Sequence, residues 1–246
     1  MPAIQTPKSV PELLKLMAKH GKRSVLVCGA DISGEKSPVG KVIIDLAGVE
    51  PLNEIELKKD KVTIGTGMNL GRLAREASGA NGLIRQAASI VANPLVRNKV
   101  TFLDALSPES PYFDITTPLV LLEAKVRLQS PTGKRALSIR DYLEAVTKGL
   151  KKGEIPTAVE FPTLAPEDKV GFFRVARMGG KGTVSAAVRM RLVRNVCIDP
   201  EIVVSSLTLI PLRAKLAEKD NGYESNRVEI TVARTLRGIM EGSMPT

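Results

Sequence analysis

Apolar positions along the chain follow two rhythms, one helical and one alternating or continuous. Leu13, Leu14, Leu16 and Met17 recur at helical spacing behind Ser9, and Gly21 closes the segment. Ser9 is placed to cap this helix, Pro11 suits its first turn and Glu12 completes a capping box. Ser24–Cys28 and Lys41–Leu46 are short, almost wholly apolar runs, the pattern of buried strands. Glu54–Lys58 and Val62–Gly65 alternate apolar and polar residues across Lys59-Asp60, which predicts a hairpin. Asn69 can cap a helix through Ala77. Gly82 precedes an amphipathic helix that turns at Asn93-Pro94.

A long Ser/Pro/Asp-rich loop follows and runs to Pro118, where Leu119–Ala124 begins a segment expected to be helical. Lys125–Gln129 and Ala136–Ile139 flank Pro131-Thr132-Gly133, a second hairpin signature. A short helix is expected over Arg140–Val146. Strands are expected at Ala158–Phe161, Phe172–Ala176, Val184–Leu192 and Ile202–Leu209, and helices at Pro211–Glu218 and Val228–Met240. The pattern reads as α/β to α+β in three pieces. These are an N-terminal α/β lobe over residues 1–50, a central lobe over 51–165, and a C-terminal antiparallel sheet with helices over 166–246.

Composition narrows the class. Of the 246 residues 43% are apolar and 25% charged, as in an ordinary soluble domain. No apolar run approaches the roughly 18–20 residues that cross a bilayer. The first residues lack a signal-peptide core, so a cytoplasmic protein is expected. The two cysteines, Cys28 and Cys197, and the one histidine, His20, cannot build a four-ligand zinc site or an iron–sulfur cluster. The cysteines read as small buried apolar residues. The formal charge is +10, but the basic residues are scattered and aromatics are 3% of the chain. That argues against a nucleic-acid stacking platform and for a solvated surface or acidic partner subunits.

No catalytic set emerges. With one histidine at the end of the first helix there is no Ser-His-Asp or Cys-His arrangement, so any chemistry would come from a bound cofactor. Gly179-Gly180-Lys181-Gly182 lacks the P-loop spacing and reads as a turn between strands. Two other loops stand out because each follows an apolar run: Val27–Ile32, and Arg97–Asp104 continuing to Asp114. Backbone N–H groups in such loops can cradle a pyrophosphate, and glycine permits close approach.

These loops carry a resemblance. Pro7–Leu14, Val27–Ile32, Val42–Leu46, Ile64-Gly65-Thr66, Arg97-Asn98, Ser107-Pro108 with Asp114 and Pro118, Val184–Ala187 and Leu209–Ala217 stand in order and at matching spacing. Together they resemble the FAD-binding, or medium, subunit of the molybdenum hydroxylases: the xanthine dehydrogenase, carbon monoxide dehydrogenase and aldehyde oxidoreductase group. The resemblance implies a two-lobed FAD-binding domain of the molybdopterin-dehydrogenase type. It implies FAD held by Gly29, Asp31 and Ile32 in the first loop, by Thr101 opening the second, and by Asp114 on the nucleotide part. It also implies a large molybdopterin subunit and a small iron–sulfur subunit as partners. In that family electrons pass through the flavin to NAD or another acceptor. The chain departs from the family at the fingerprint glycines, which Cys28, Leu103 and Asp104 replace, and Ala30 stands where threonine is usual. The alternative implied by those departures is a flavin-free structural subunit of the same kind of complex.

Overall fold

The computed structural model describes residues 4–27, 40–76, 82–151, 153–176, 183–193, 196–205 and 211–213. Strand β1 (Ile4–Gln5) leads into helix α1 (Val10–His20). Ser9 Oγ accepts the Glu12 N–H at 3.4 Å, and the Glu12 carboxylate accepts the Lys8 N–H at 2.8 Å. The helix ends at Gly21, whose φ of 54° lies in the region that favours glycine and whose N–H donates to the Met17 carbonyl. Strands β2 (Ser24–Val27) and β3 (Val42–Asp45) follow, and the three strands form a parallel sheet in the order β1-β3-β2. Leu13 and Leu14 of α1 pack with Ile44, Leu46 and Leu52 into one buried cluster. The apolar run Val42-Ile43-Ile44 of β3 is buried, with Ile44 beneath the apolar face of α1.

The hairpin expected at Lys59-Asp60 is present as β4 (Ile55–Leu57) and β5 (Lys61–Gly65). Helix α2 (Leu70–Glu76) is capped by Asn69, whose Oδ1 accepts the Arg72 N–H at 2.8 Å. Helix α3 (Gly82–Val91) buries Leu83, Ile84, Ala87, Ala88 and Val91, spaced as one helical face. Asn93 then caps a single turn, α4 (Pro94–Arg97), so the break at Asn93-Pro94 starts a helical turn and is not only a bend.

The segment read as a loop at Thr101–Ala105 is instead helix α5 (Phe102–Ala105). The physical reason is the Thr101-x-x-Asp104 spacing, which is a capping box in its own right. Helix α6 (Thr116–Leu121) is buried along its whole length, its two threonines included; the Thr116 hydroxyl donates to the Phe113 carbonyl at 2.7 Å.

Strands β6 (Lys125–Ser130) and β7 (Gly133–Ser138) form the second hairpin, and α7 (Ile139–Lys148) is capped by Ser138. Strand β8 (Ile155–Pro162) pairs antiparallel with both β5 and β6, giving a five-stranded sheet in the order β4-β5-β8-β6-β7. Strands β9 (Asp168–Ala176), β10 (Thr183–Val193), β11 (Val196–Ser205) and β12 (Leu212–Arg213) make an antiparallel sheet in the order β12-β11-β10-β9. A helix is expected from Pro211, but Leu212–Arg213 pairs with Val203 and Val204 instead. The open edge of β11 and the Arg213–Glu201 ion pair at 3.0 Å outweigh the helical composition there. The turn at Gly179–Gly182, the helix expected at Val228–Met240 and the rest of the chain after Arg213, with residues 214–218 of the helix expected at Pro211–Glu218, lie outside the described residues.

Phe172, Ala187 and Val203 of the C-terminal sheet share the main core with Val62, Leu83 and Leu119. The central and C-terminal sheets thus enclose a common interior, with α3 and α6 between them.

Candidate nucleotide site

The second loop is built onto the end of β5. Thr66 follows that strand, and its Oγ1 donates to the Pro156 carbonyl at 2.8 Å. The Thr66 carbonyl accepts the Leu103 N–H at 2.8 Å, and the Met68 carbonyl accepts the Phe102 N–H at 2.7 Å. In return the Val100 carbonyl accepts the Leu70 N–H at 2.9 Å, and Asn69 and Thr101 form an isolated antiparallel bridge. The close fit explains the glycines nearby. A Cβ on Gly65 would collide with the Leu52 backbone, and one on Gly71 with the Asn98 side-chain amide. Asn98, one of the residues that carries the resemblance, therefore packs over α2. Arg97 Nη1 donates to the Ser89 carbonyl at 2.9 Å and ties α4 to α3.

Within the loop Thr101 is buried and the box closes on itself. The Asp104 N–H donates to Thr101 Oγ1 at 3.0 Å. Asp104 Oδ2 accepts both the Thr101 N–H at 2.9 Å and the Thr101 hydroxyl at 2.8 Å. The Ala105 N–H donates to the Thr101 carbonyl at 3.2 Å, and the Leu106 N–H to the Phe102 carbonyl at 3.1 Å. Each backbone N–H from Thr101 to Leu106 thus has a partner inside the chain. The Leu103 side chain is half-buried and packs against the N-terminal cluster of Leu13, Ile44, Leu46 and Leu52.

Asp114 lies in a neighbouring turn that contacts α5. It is buried in the single 3₁₀ turn Phe113–Ile115 before α6. Its Oδ2 accepts Arg174 Nε from β9 at 2.8 Å, and its Oδ1 accepts the Ser185 hydroxyl from β10 at 3.2 Å. Ser185 Oγ is also 3.0 Å from Thr117 Oγ1. Arg174 and Ser185 are direct cross-strand partners. Sequence reasoning placed Ser185 in the Val184–Ala187 match and Arg174 in an expected strand but gave neither a role, because the signal is a long-range pairing.

The remaining predicted ligands, Gly29, Asp31 and Ile32, and the replaced position Cys28, lie outside the described residues. A separate cleft of about 870 Å³ is lined by Leu52, Asn53, Glu56, Thr63, Arg72 and Arg127 among others, and does not include Thr101–Ala105. Its cations are already engaged. Arg72 pairs with Glu76 at 2.8 Å and Arg127 with Glu160 at 2.6 Å. The Arg72 hydrogen bonds hold the Glu76 carboxyl below its ordinary value. Burial pushes Glu160 up, but Arg127 and Lys61 more than offset it and leave that carboxyl lowered. Among the described residues no group of three His, Cys, Asp or Glu side chains could hold a metal ion.

A three-stranded parallel sheet, a five-stranded antiparallel sheet and a four-stranded antiparallel sheet, with helices packed among them, define an α+β fold. The chain belongs to the family described as the FAD binding domain in molybdopterin dehydrogenase, which matches residues 2–164. It is 26% identical over 181 residues to the glyceraldehyde dehydrogenase medium chain of Sulfolobus acidocaldarius, covering 72% of this chain and 64% of that one. It is 24% identical over 222 residues to the xanthine dehydrogenase FAD-binding subunit of Escherichia coli O157:H7, covering 86% of this chain and 76% of that one. In fold it is similar to a chain of the Cu,Mo-CO dehydrogenase crystal structure, with a TM-score of 0.74, 23% identity and coverage of 91% and 82%. A chain of quinoline 2-oxidoreductase from Pseudomonas putida 86 gives a TM-score of 0.72 at 20% identity, with coverage of 91% and 81%.

The family and the fold imply FAD, so the described half of the cradle can be tested for fit. Pyrophosphate needs free N–H donors and room for close backbone approach. The loop has spent its donors internally, Leu103 fills the seam to the N-terminal lobe, and Asp104 adds a negative charge. A carboxylate a few ångströms from a phosphate is repelled by about 1 kcal/mol in water and several in a lower dielectric. The second loop does not fit the group.

Proposed function

We propose that this chain is the medium subunit of a multi-subunit molybdenum-dependent oxidoreductase. It would assemble with a large molybdopterin subunit and a small iron–sulfur subunit, and the three sequence pieces 1–50, 51–165 and 166–246 would be its structural lobes. The observation that carries this is the family match over residues 2–164, together with a fold similar to a chain of the Cu,Mo-CO dehydrogenase structure across 91% of this chain. The chain's own residues agree with a supporting role. Asp114 and Glu160 are held in ion pairs with Arg174 and Arg127 and do not stand free for acid–base work. Substrate chemistry would therefore belong to the partner with the molybdenum centre. The formal charge of +10 suits acidic partner surfaces.

Two readings of its part in electron flow follow. The first is a flavin relay between iron–sulfur clusters on the small subunit and NAD or another acceptor. The second is a flavin-free subunit that positions its partners, and the saturated, filled second loop favours it.

The test is affinity purification of the tagged full chain from its native cell, with metal analysis of what comes with it. The expected result is a complex containing molybdenum and iron and at least two further polypeptides. A lone chain recovered without molybdenum or iron would sink the assignment.

A further inference from the structure

The Asp104 carboxylate is the anion that the first donors of this turn bind. It accepts two donors from one residue, the Thr101 N–H at 2.9 Å and the Thr101 hydroxyl at 2.8 Å. Those are the first donors of the turn, the groups left without partners at a helix start and drawn to anions. The next two, on Phe102 and Leu103, are taken by the Met68 and Thr66 carbonyls. The space beside them is taken by the Leu103 side chain, which bears on the buried cluster around Leu46 and Leu52.

We propose that Leu103 and Asp104 are a built-in replacement for the dinucleotide pyrophosphate: Asp104 is the internal anion that satisfies the turn, and Leu103 is the plug that joins it to the N-terminal lobe. The substitution does two jobs that FAD would otherwise do, which are to neutralise the start of the turn and to cement the lobe interface. The chain is thereby stable and assembled without flavin, and it discriminates against FAD and other dinucleotides at this seam. The inference rests on the reading of this chain as a medium subunit only for the choice of FAD as the excluded ligand.

The experiment is FAD binding by the purified full chain, read by quenching of flavin fluorescence, with flavin content of the native complex measured after acid release. The wild-type chain is expected to bind FAD too weakly to saturate, and the complex to release none. L103G/D104G removes plug and anion together and is expected to bind FAD at least about tenfold more tightly than wild type, the size of one relieved charge repulsion at close range. Because that double variant loses cap and packing, L103A/D104N is measured beside it: the amide oxygen of the introduced asparagine can still accept from Thr101, but the charge is gone and the plug is shortened. Circular dichroism confirms that each variant is folded. One FAD per wild-type chain, in the complex or alone, overturns the proposal. So does a folded variant of either kind with no gain in binding. The medium-subunit reading fails separately, when no molybdenum- or iron-bearing partner accompanies the chain, whatever the flavin result.

Discussion

Arg174 on β9 donates through Nε to Oδ2 of Asp114, in the 3₁₀ turn before α6, at 2.8 Å. The pair is part of a small polar network set in apolar core. Ser185 binds the other carboxylate oxygen at 3.2 Å, and Thr117 is 3.0 Å from Ser185. Asp114 has 10% of its side chain exposed and Arg174 21%, so neither can fall back on full hydration if its partner is lost. Removing one member of a buried pair strands the other, which costs far more than the pair contributes.

Asp114→Ala is therefore expected to destabilise the chain by about 3 kcal/mol, and Asp114→Asn, which keeps the shape and one acceptor, by about half of that. Urea unfolding of the flavin-free chain measures both. The experiment also separates two roles for Asp114. A residue whose task is only to hold a ligand would tolerate Asn without loss of stability when no ligand is present.

The network shows what the sequence could and could not disclose. Asp114 was legible as a special residue through the resemblance, in which it follows Ser107-Pro108 and precedes Pro118. Its partners were not, because Arg174 and Ser185 come together with it only through strand pairing and through sequence separations of 60 and 71 residues. Elements fixed by local chemistry were legible almost to the residue: Ser9 before α1, Asn69 before α2, and the Pro131–Gly133 turn. Two expectations failed where a local pattern competed with another one. Thr101-x-x-Asp104 reads as a broken glycine loop when set beside a family fingerprint, yet the same four residues form a capping box. Leu212-Arg213 has helical composition, yet an available strand edge captured it. The loop Gly29–Ile32, half of the expected cradle, lies outside the described residues.

Gly65 is the last residue of β5, and a Cβ there would run into the carbonyl carbon and oxygen of Leu52. The obstacle is backbone at Leu52, the buried last residue of the 3₁₀ turn Glu50–Leu52, so no rotamer change relieves it. Gly65→Ala is expected to cost about 2–3 kcal/mol by overpacking, and to loosen the contact of the N-terminal cluster with the central sheet. Gly133, at the start of β7, is the control: a Cβ there meets nothing within 4 Å, and Gly133→Ala is expected to change the unfolding midpoint little.

Thr101 and Asp104 make the cap of α5 reciprocal, so Thr101→Val removes both an acceptor for the Asp104 N–H and a donor to the Asp104 carboxylate. Thr101 is 3% exposed, and Val preserves its volume. The loss is expected to be about 1–2 kcal/mol, the usual worth of an N-cap. If the turn carried no capping energy, hydrogen exchange of the Phe102–Leu106 amides would be the same in Thr101→Val and wild type; faster exchange confined to this turn is the expected result.

Glu154, in the loop before β8, binds Arg135 of β7 through both carboxylate oxygens at 2.8 Å. Those hydrogen bonds, more than the charge of Arg135 itself, hold the Glu154 carboxyl below its ordinary value against the opposing effect of burial. A lowered folded-state value means that the unfolded chain binds the proton more readily. The interaction therefore stabilises the fold fully above the ordinary glutamate range, near about pH 4–5, and is lost as pH falls through the lowered value. Glu154→Gln removes the titration while leaving the side chain's size unchanged. At neutral pH the variant is expected to unfold at lower urea than wild type, by less than the Asp114 variants because the Arg135 side chain is 35% exposed and the pair is partly screened. As pH is lowered below the glutamate range the two unfolding curves should converge. A difference between them that stays constant from neutral to acid pH would mean that packing of the Glu154 side chain, and not its charge, fastens the β6–β7 hairpin to the sheet.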